Sequence, residues 1–539
     1  MDVPRAERFD YIIIGAGSAG CVLANRLSAA RNTSVLLLEA GGSDNHPYVR
    51  APAGFLKTFH DPRFNWCFNT EPGPGVDDRR VFFPRGKVLG GSSSISGHLY
   101  VRGQARDYDA WSELGNKGWS YDDVLPYFRK SEDRSTGATH YHGIGGPQHV
   151  SDIHEHHPLC QLFIRGVEEL GIPLNPDYNG AKQEGVAYYQ RMIKNGRRHS
   201  AANGFLHPIK RRSNLCVKTK AHVLQLRCSG REVTGVTYQR FGRVHQADAN
   251  AEVLLCAGAI SSPHLLQTSG IGPADTLQAA GINVVHELPG VGEGLQDHYA
   301  VRVAYRINKK LSLNHRTRGV RLGWEISKWL LSGRGLLAFS PAHVGLFLRS
   351  QPNVNEPDLQ FVFTPASYSQ SEGAIGTFSS FPGVTCGIWQ MRPQSRGFVR
   401  AKTPDPIQAP AIQPNYLADE EDCQSIVQGL IWCRRLLTTK SMLTYLEEES
   451  IPGKDCQTED ELLSYARSSG GTVYHPVGTC RMGNDPMAVV NNNLEICNMG
   501  GIRIVDASIM PTMVSANTLA ATLMIAEKAS DLILSRRPQ

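Results

Sequence analysis

Two unbroken apolar runs near the start of the chain set its architecture. Tyr11-Ile12-Ile13-Ile14, reached through Phe9 and Asp10, and Val35-Leu36-Leu37-Leu38 read as buried strands. Between them stand Gly15-Ala16-Gly17-Ser18-Ala19-Gly20 and a helical stretch over residues 21–27, and the second run ends on Glu39-Ala40. This is the order of a β-α-β unit that holds a dinucleotide. Gly15 permits the tight turn, Gly17 lets the backbone approach a pyrophosphate, and Gly20 lets the helix pack on the strand. The helix N-terminus offers N–H groups and a partial positive charge to phosphates. Glu39 lies 19 residues after Gly20, where a carboxylate accepts hydrogen bonds from ribose hydroxyls. An acid there also disfavours a 2′-phosphate, so NADP is not expected.

The same patterning recurs at the far end. Gly501-Ile502-Arg503-Ile504-Val505-Asp506 reads as a buried strand ending on an acid. Residues 519–534 read as a helix with Leu519, Leu523, Ala526, Ser530 and Ile533 along one face. A strand and helix here complete the sheet begun near residue 9. Two further strand-like stretches, residues 358–364 and 396–402, lie in the region between.

Length and composition narrow the class. At 539 residues the chain calls for two domains sharing an interface. With 41% hydrophobic and 20% charged residues it has the make-up of a soluble globular enzyme. The net charge of +6 comes from scattered basic pairs and not from an aromatic-interleaved basic stretch, which argues against nucleic acid. Twelve cysteines without a CxxC read as reduced thiols of a reducing compartment. The first strand begins by about Phe9, leaving no room for a signal peptide, and no apolar run approaches spanning length. The expectation is a cytoplasmic protein without a transmembrane segment, with peripheral attachment to a membrane left open.

The dinucleotide fingerprint alone does not separate NAD from FAD. A second small-residue loop follows, Phe82-Phe83-Pro84-Arg85-Gly86-Lys87-Val88-Leu89-Gly90-Gly91-Ser92-Ser93-Ser94-Ile95. Its paired glycines and serine hydroxyls suit a cofactor that runs past the first phosphate site. This loop resembles the first signature of the glucose-methanol-choline oxidoreductases, a family of FAD-dependent enzymes. The segment from Gly258 through Pro263 to Gly272 resembles the second signature. Tyr474-His475-Pro476, running on to Gly478 and Gly483, and Val505-Asp506-Ala507, running on to Pro511, resemble the C-terminal hallmarks. The resemblance covers nearly the whole chain, in order, and is nearest to the choline-dehydrogenase-like and alcohol dehydrogenase branch.

The resemblance implies an α/β fold: a Rossmann-like FAD-binding domain with a substrate-binding domain built on an antiparallel sheet (α+β). The FAD-binding domain is expected to be discontinuous, from residues 1–155, 215–300 and 470–539, with 156–214 and 301–469 forming the substrate domain. Cofactor contacts are implied at Gly15, Gly17, Ser18, Ala19, Gly20, Glu39 and Ala40, and at Val88, Gly91, Ser92 and Ser96 of the second loop. Val223 is implied beside the adenine, Asp506 and Ala507 along the pyrophosphate, and Asn517 and Thr518 near the isoalloxazine.

Flavin-dependent alcohol oxidation asks the protein to remove the hydroxyl proton, orient the carbon and exclude water. An imidazole titrates near neutrality, and His475 matches the family's catalytic histidine. Asn517 matches its partner, where members carry His or Asn. An amide donates to a developing alkoxide but is not a base, so proton abstraction falls to His475. As a residue, Asn517 also has the alternative role of capping the helix that follows it.

Two departures stand out: Ser96 replaces the usual Asn, which alters the expected flavin contact, and Leu519-Ala520-Ala521 replaces the usual Asn-Ala-Pro, which bears on substrate shape. Ile95 occupies the position where some members link FAD covalently through His, so non-covalent FAD is expected. The cluster of His154, His156 and His157 lacks a recognised ligand spacing and reads as a solvated loop. Cys480 reads as packing.

The reaction expected is oxidation of the CH–OH group of a primary, uncharged or aliphatic alcohol to the aldehyde. Electrons would leave to a quinone, another carrier or oxygen. The apolar segments Leu336-Leu337-Ala338-Phe339 and Phe361-Val362-Phe363 are candidates for lining the substrate. The alternative is a cyanohydrin-cleaving lyase on the same FAD-containing scaffold.

Overall fold

The computed structural model describes residues 6–308, 311–369 and 378–535. It is a mixed α/β molecule organised around two seven-stranded sheets. In the first, Glu7–Ile14 lies between Val35–Glu39 and Arg243–Leu255, parallel to both, and Leu215–Thr219 extends the parallel edge. Glu232–Arg240 and Ala221–Ser229 continue it as an antiparallel meander. Ile502–Ile504 returns from the far end of the chain to pair with Arg243–Leu255. The apolar runs of the sequence are the strands buried on both faces, as a helix-covered parallel region requires.

The helix after the fingerprint runs Ser18–Leu27, one turn earlier than residue 21. Gly20 therefore sits inside its first turn, where a Cβ would lie 1.9 Å from the Gly15 carbonyl oxygen. The C-terminal helix Leu519–Leu534 packs between Ser18–Leu27 and Tyr121–Ser131, so it is buried nearly all round and not along one face. Its Glu527, fully buried, pairs with Arg26 at 2.5 Å across the two helices. The returning strand is shorter than residues 501–506, because the Asp506 carboxylate turns back to accept the Ser508 N–H and opens a 3-10 turn.

The second sheet is antiparallel, in the order Leu446–Ile451, Tyr299–Ile307, Gly383–Gln390, Leu359–Thr364, Val344–Leu348, Gly185–Tyr188. Gly471–Thr472 pairs with the start of Tyr299–Ile307, immediately before the chain reaches His475. Helices Pro158–Glu169 and Glu420–Leu437 cover one face, over Val384, Cys386, Ile388, Phe361 and Phe363. Alternation along the strands sends Val362, Thr364, Thr385, Gly387 and Trp389 to the other face, which roofs the main cavity. The stretch expected over residues 396–402 forms Gly397–Arg400, but in a separate small sheet with Glu293–Leu295 and Ala411–Gln413.

Candidate active site

Between the two sheets lies a cavity of about 440 Å³, within the usual range for cofactor and ligand sites. One end is built on the first sheet from Gly15, Gly17, Ser18, Ala19, Glu39 and Ala40, with Val223 beside them. The second loop adds Gly91, Ser92, Ile95 and Ser96, and the chain's end adds Asp506, Ala507, Asn517 and Thr518. The two glycine loops meet directly: a Cβ on Gly91 would lie 2.7 Å from Gly17 Cα. Gly258, at φ +85°, opens helix Gly258–Thr268 with open space where a Cβ would stand. The cradle is thus bare backbone where a pyrophosphate would rest.

Glu39 serves the cradle from behind. Its carboxylate accepts the Ala16 N–H at 2.9 Å and the Gly41 N–H at 2.8 Å, and burial raises its pKa to about 7. Asp506 brackets the helix Gly258–Thr268, accepting the Gly258 N–H at 2.8 Å and the Ser262 hydroxyl at 2.6 Å.

At the other end stands His475. Its backbone N–H donates to Asp297 Oδ1 at 2.7 Å, and Asp297 Oδ2 accepts the hydroxyls of Tyr416 and Thr472, each at 2.5 Å. Burial lifts the Asp297 pKa to about 6 against these lowering bonds. Arg85 donates to the Tyr474 carbonyl at 2.7 Å, where the backbone is left-handed at φ +70°. The loop is therefore anchored through Asp297 and Arg85, and His475 lines the cavity together with Val473, Tyr474 and Pro476.

The ring's protons follow from its partners. His298 Nε2 lies 2.8 Å from the Met391 carbonyl, which only accepts, so Nε2 carries the hydrogen. Burial lowers the His298 pKa to about 4, so the ring is neutral and Nδ1 is an acceptor. His475 Nδ1, 2.9 Å away, must then donate. Burial, followed by His298 and Arg85, holds the His475 pKa well below the usual imidazole value. Its Nε2 is therefore unprotonated, an acceptor at the cavity wall that takes the Asn517 amide N–H. Asn517 Nδ2 approaches that nitrogen at 3.1 Å, and Gln360 Nε2 donates to Asn517 Oδ1 at 3.3 Å, which fixes the amide's direction.

The Asn517 side chain does not cap the helix it precedes. The N-cap of Leu519–Leu534 is Thr518, which makes no side-chain cap bond.

Comparison with known proteins decides the family. The GMC oxidoreductase family models match residues 9–300 and 393–526. The chain belongs to the GMC oxidoreductase family. It is 39% identical over 535 residues to the alcohol dehydrogenase (acceptor) of Pseudomonas putida, covering 98% of this chain and 96% of that one. It is also 39% identical over 536 residues to the mitochondrial choline dehydrogenase of Homo sapiens, covering 98% and 90%. The crystal structure of pyridoxine 4-oxidase from Mesorbium loti superposes with a TM-score of 0.89 at 30% identity, covering 98% of this chain and 100% of that one. A formate oxidase shares the fold, with a TM-score of 0.92 at 24% identity over 99% of each chain. This GMC oxidoreductase is an FAD-dependent enzyme, and the bare cradle suits FAD's pyrophosphate.

Not every expected residue reaches the cavity of this GMC enzyme. Val88 points into a small core with Val49, Phe55 and Ile95, and Gly20 serves helix packing. Phe361 and Phe363 face the covering helices, leaving Val362 alone of that trio at the cavity. Leu336, Leu337 and Phe339 form a separate cluster with Leu313 and Phe378, and the wall is supplied instead by Pro341 and Ala342. His156 stacks on Tyr188, and His157 accepts the Leu159 N–H as the cap of Pro158–Glu169. Cys480 is fully buried.

Several functional residues carry no signal in sequence: His298, Asp297, Gln360 and Trp389. Asp297-His298 precedes a strand without any motif, and Gln360 reads as an ordinary strand residue. Trp389 lines the cavity with its indole N–H buried and without a protein partner, a donor available to a bound oxygen. His298→Phe removes the acceptor that holds the His475 tautomer. It is expected to slow flavin reduction ~10–100-fold, the range for losing an imidazole's orienting partner. His298→Gln, which can offer an amide oxygen to the same N–H, is expected to recover part of that loss.

Proposed function

We propose that this enzyme oxidises the CH–OH group of a primary, uncharged or aliphatic alcohol to the aldehyde, with His475 as base. The observation that carries the reading is the unprotonated His475 Nε2 at the cavity wall, paired with the Asn517 amide N–H at 3.1 Å. An alcohol oxygen that replaces this direct bond gives its proton to Nε2 while Asn517 donates to the oxygen as negative charge builds there. Bound FAD supplies the acceptor for the hydride that leaves the carbon. The closed histidine chain keeps the base in one tautomer throughout.

Charge supports an uncharged substrate. Among the described residues that line the cavity, the acids are Glu39 and Asp506, both beside the glycine cradle, whereas Arg302 stands on the roofing sheet. A quaternary ammonium would find no carboxylate near His475 in that lining. The roof offers Val362, Ala342 and Pro341 instead. An alcohol panel with an artificial electron acceptor tests this. Unbranched aliphatic alcohols are expected to give kcat/KM well above choline, and choline as the best substrate would overturn the assignment.

The cofactor is proposed to be non-covalent, because Ile95 lines the cavity with an aliphatic side chain that cannot form a flavin bond. Acid precipitation is expected to release all yellow colour into the supernatant. Colour retained in the pellet would contradict it.

A further inference from the structure

Among the described residues, the three most exposed large apolar side chains stand on one helix, Gly319–Ser332. Val320 is 92% exposed, Leu331 89% and Trp324 70%. Successive helical residues turn by about 100°, so these three fall along one line with Ser327. Ile326 and Leu330, also exposed, widen the apolar face to roughly 160° of the circumference.

This face is not the residue of poor packing, because the helix is docked firmly by its other side. Trp329 is buried and its indole N–H donates to the Gly196 carbonyl at 2.8 Å. Glu325 is buried, accepts Arg316 Nε at 2.8 Å and accepts the Leu336 N–H at 2.8 Å.

Positive charge flanks the exposed face along one side and at both ends. Arg321 and Lys328 run along its border, Arg318 and Arg334 flank the helix ends, and the helix's one acid, Glu325, is turned inward. Scattered exposed apolar residues are ordinary on a protein surface; a contiguous stripe flanked by cations is not. Apolar side chains with a tryptophan, bordered by arginine and lysine, suit a helix lying in the plane of a bilayer interface, its cations on anionic headgroups. No helix among the described residues is long and apolar enough to cross a membrane.

We propose that Gly319–Ser332 is an in-plane anchor that docks this enzyme on an anionic lipid surface. The chain leaving the helix is tied back to it through Glu325 and Leu336, then reaches the cavity wall at Pro341 and Ala342. Anchor and wall are parts of one segment. The proposal stands independently of the substrate assignment.

Sedimentation of the full FAD-loaded chain with vesicles tests it, using phosphatidylcholine alone and phosphatidylcholine mixed with phosphatidylglycerol. The wild type is expected to bind the mixed vesicles at least about fivefold better, with the preference lost in high salt. The combined variant Val320→Ser, Trp324→Ser, Leu331→Ser is expected to bind at least about tenfold less. Its FAD content and thermal midpoint are expected to stay at wild-type values. Arg321→Gln with Lys328→Gln is expected to lose the preference for anionic vesicles. Equal binding by the triple variant and the wild type, or no binding to either vesicle, would overturn the anchor. A dimer in sedimentation velocity that the triple variant abolishes would assign the face to a second copy and overturn it equally.

Discussion

Replacing His475 with alanine is expected to slow flavin reduction by roughly 10²- to 10⁴-fold, the range for a positioned acid–base group. FAD content is expected to stay at the wild-type level, because the glycine cradle and Glu39 sit at the opposite end of the cavity. The size of the effect follows from the wiring. Of the two imidazoles in the hydrogen-bonded series Met391–His298–His475–Asn517, His475 is the one with an unprotonated nitrogen on the cavity side, since His298 spends both nitrogens on Met391 and His475. Asn517 next to it carries no basic atom. Anaerobic stopped-flow reduction with the best alcohol measures the loss directly. A variant that keeps most of its rate would show that another group takes the proton.

Asn517→Ala carries the second largest expected effect, a loss of about 2.7–4 kcal/mol of transition-state stabilisation, as for other oxyanion-type donors. The amide is aimed before substrate arrives, because Gln360 holds its oxygen and thereby turns Nδ2 toward His475. Truncation also leaves Gln360 without one of its two acceptors, the other being the Tyr189 hydroxyl at 2.9 Å. FAD binding is expected to persist. Asn517→His is expected to retain measurable activity, because an imidazole N–H can donate from the same position. Reduction of the alanine variant at the wild-type rate would reduce Asn517 to a residue of the turn before the helix.

Much of this was legible in the order of residues. The runs at Tyr11–Ile14 and Val35–Leu38 had to be buried strands, and Gly15, Gly17 and Glu39 do meet at one end of the cavity. The helix over residues 519–534 was readable to the residue, although its burial on all sides depends on two partner helices from elsewhere in the chain. His475 and Asn517, 42 residues apart, come within hydrogen-bond distance of each other.

What escaped depends on long-range closure. Asp297 and His298 lie 178 and 177 residues before His475, and the pairing of Gly471–Thr472 with Tyr299–Ile307 and of Val477 with Gln296 brings them to it. Phe361, Val362 and Phe363 looked alike as an apolar run. The pleat divides them, two to the helices and one to the cavity, and the sheet's register is not written in three residues. The Val88 side chain turns into a small core instead, because a loop motif names residues without giving the direction of their side chains.

The most direct test of alcohol oxidation is anaerobic addition of a primary aliphatic alcohol to the purified yellow enzyme. The yellow flavin band is expected to bleach fully, with one aldehyde formed per FAD, and to bleach far more slowly in His475→Ala. A wild-type band that stays unchanged under every alcohol, while the enzyme splits a cyanohydrin without net redox change, would contradict the account.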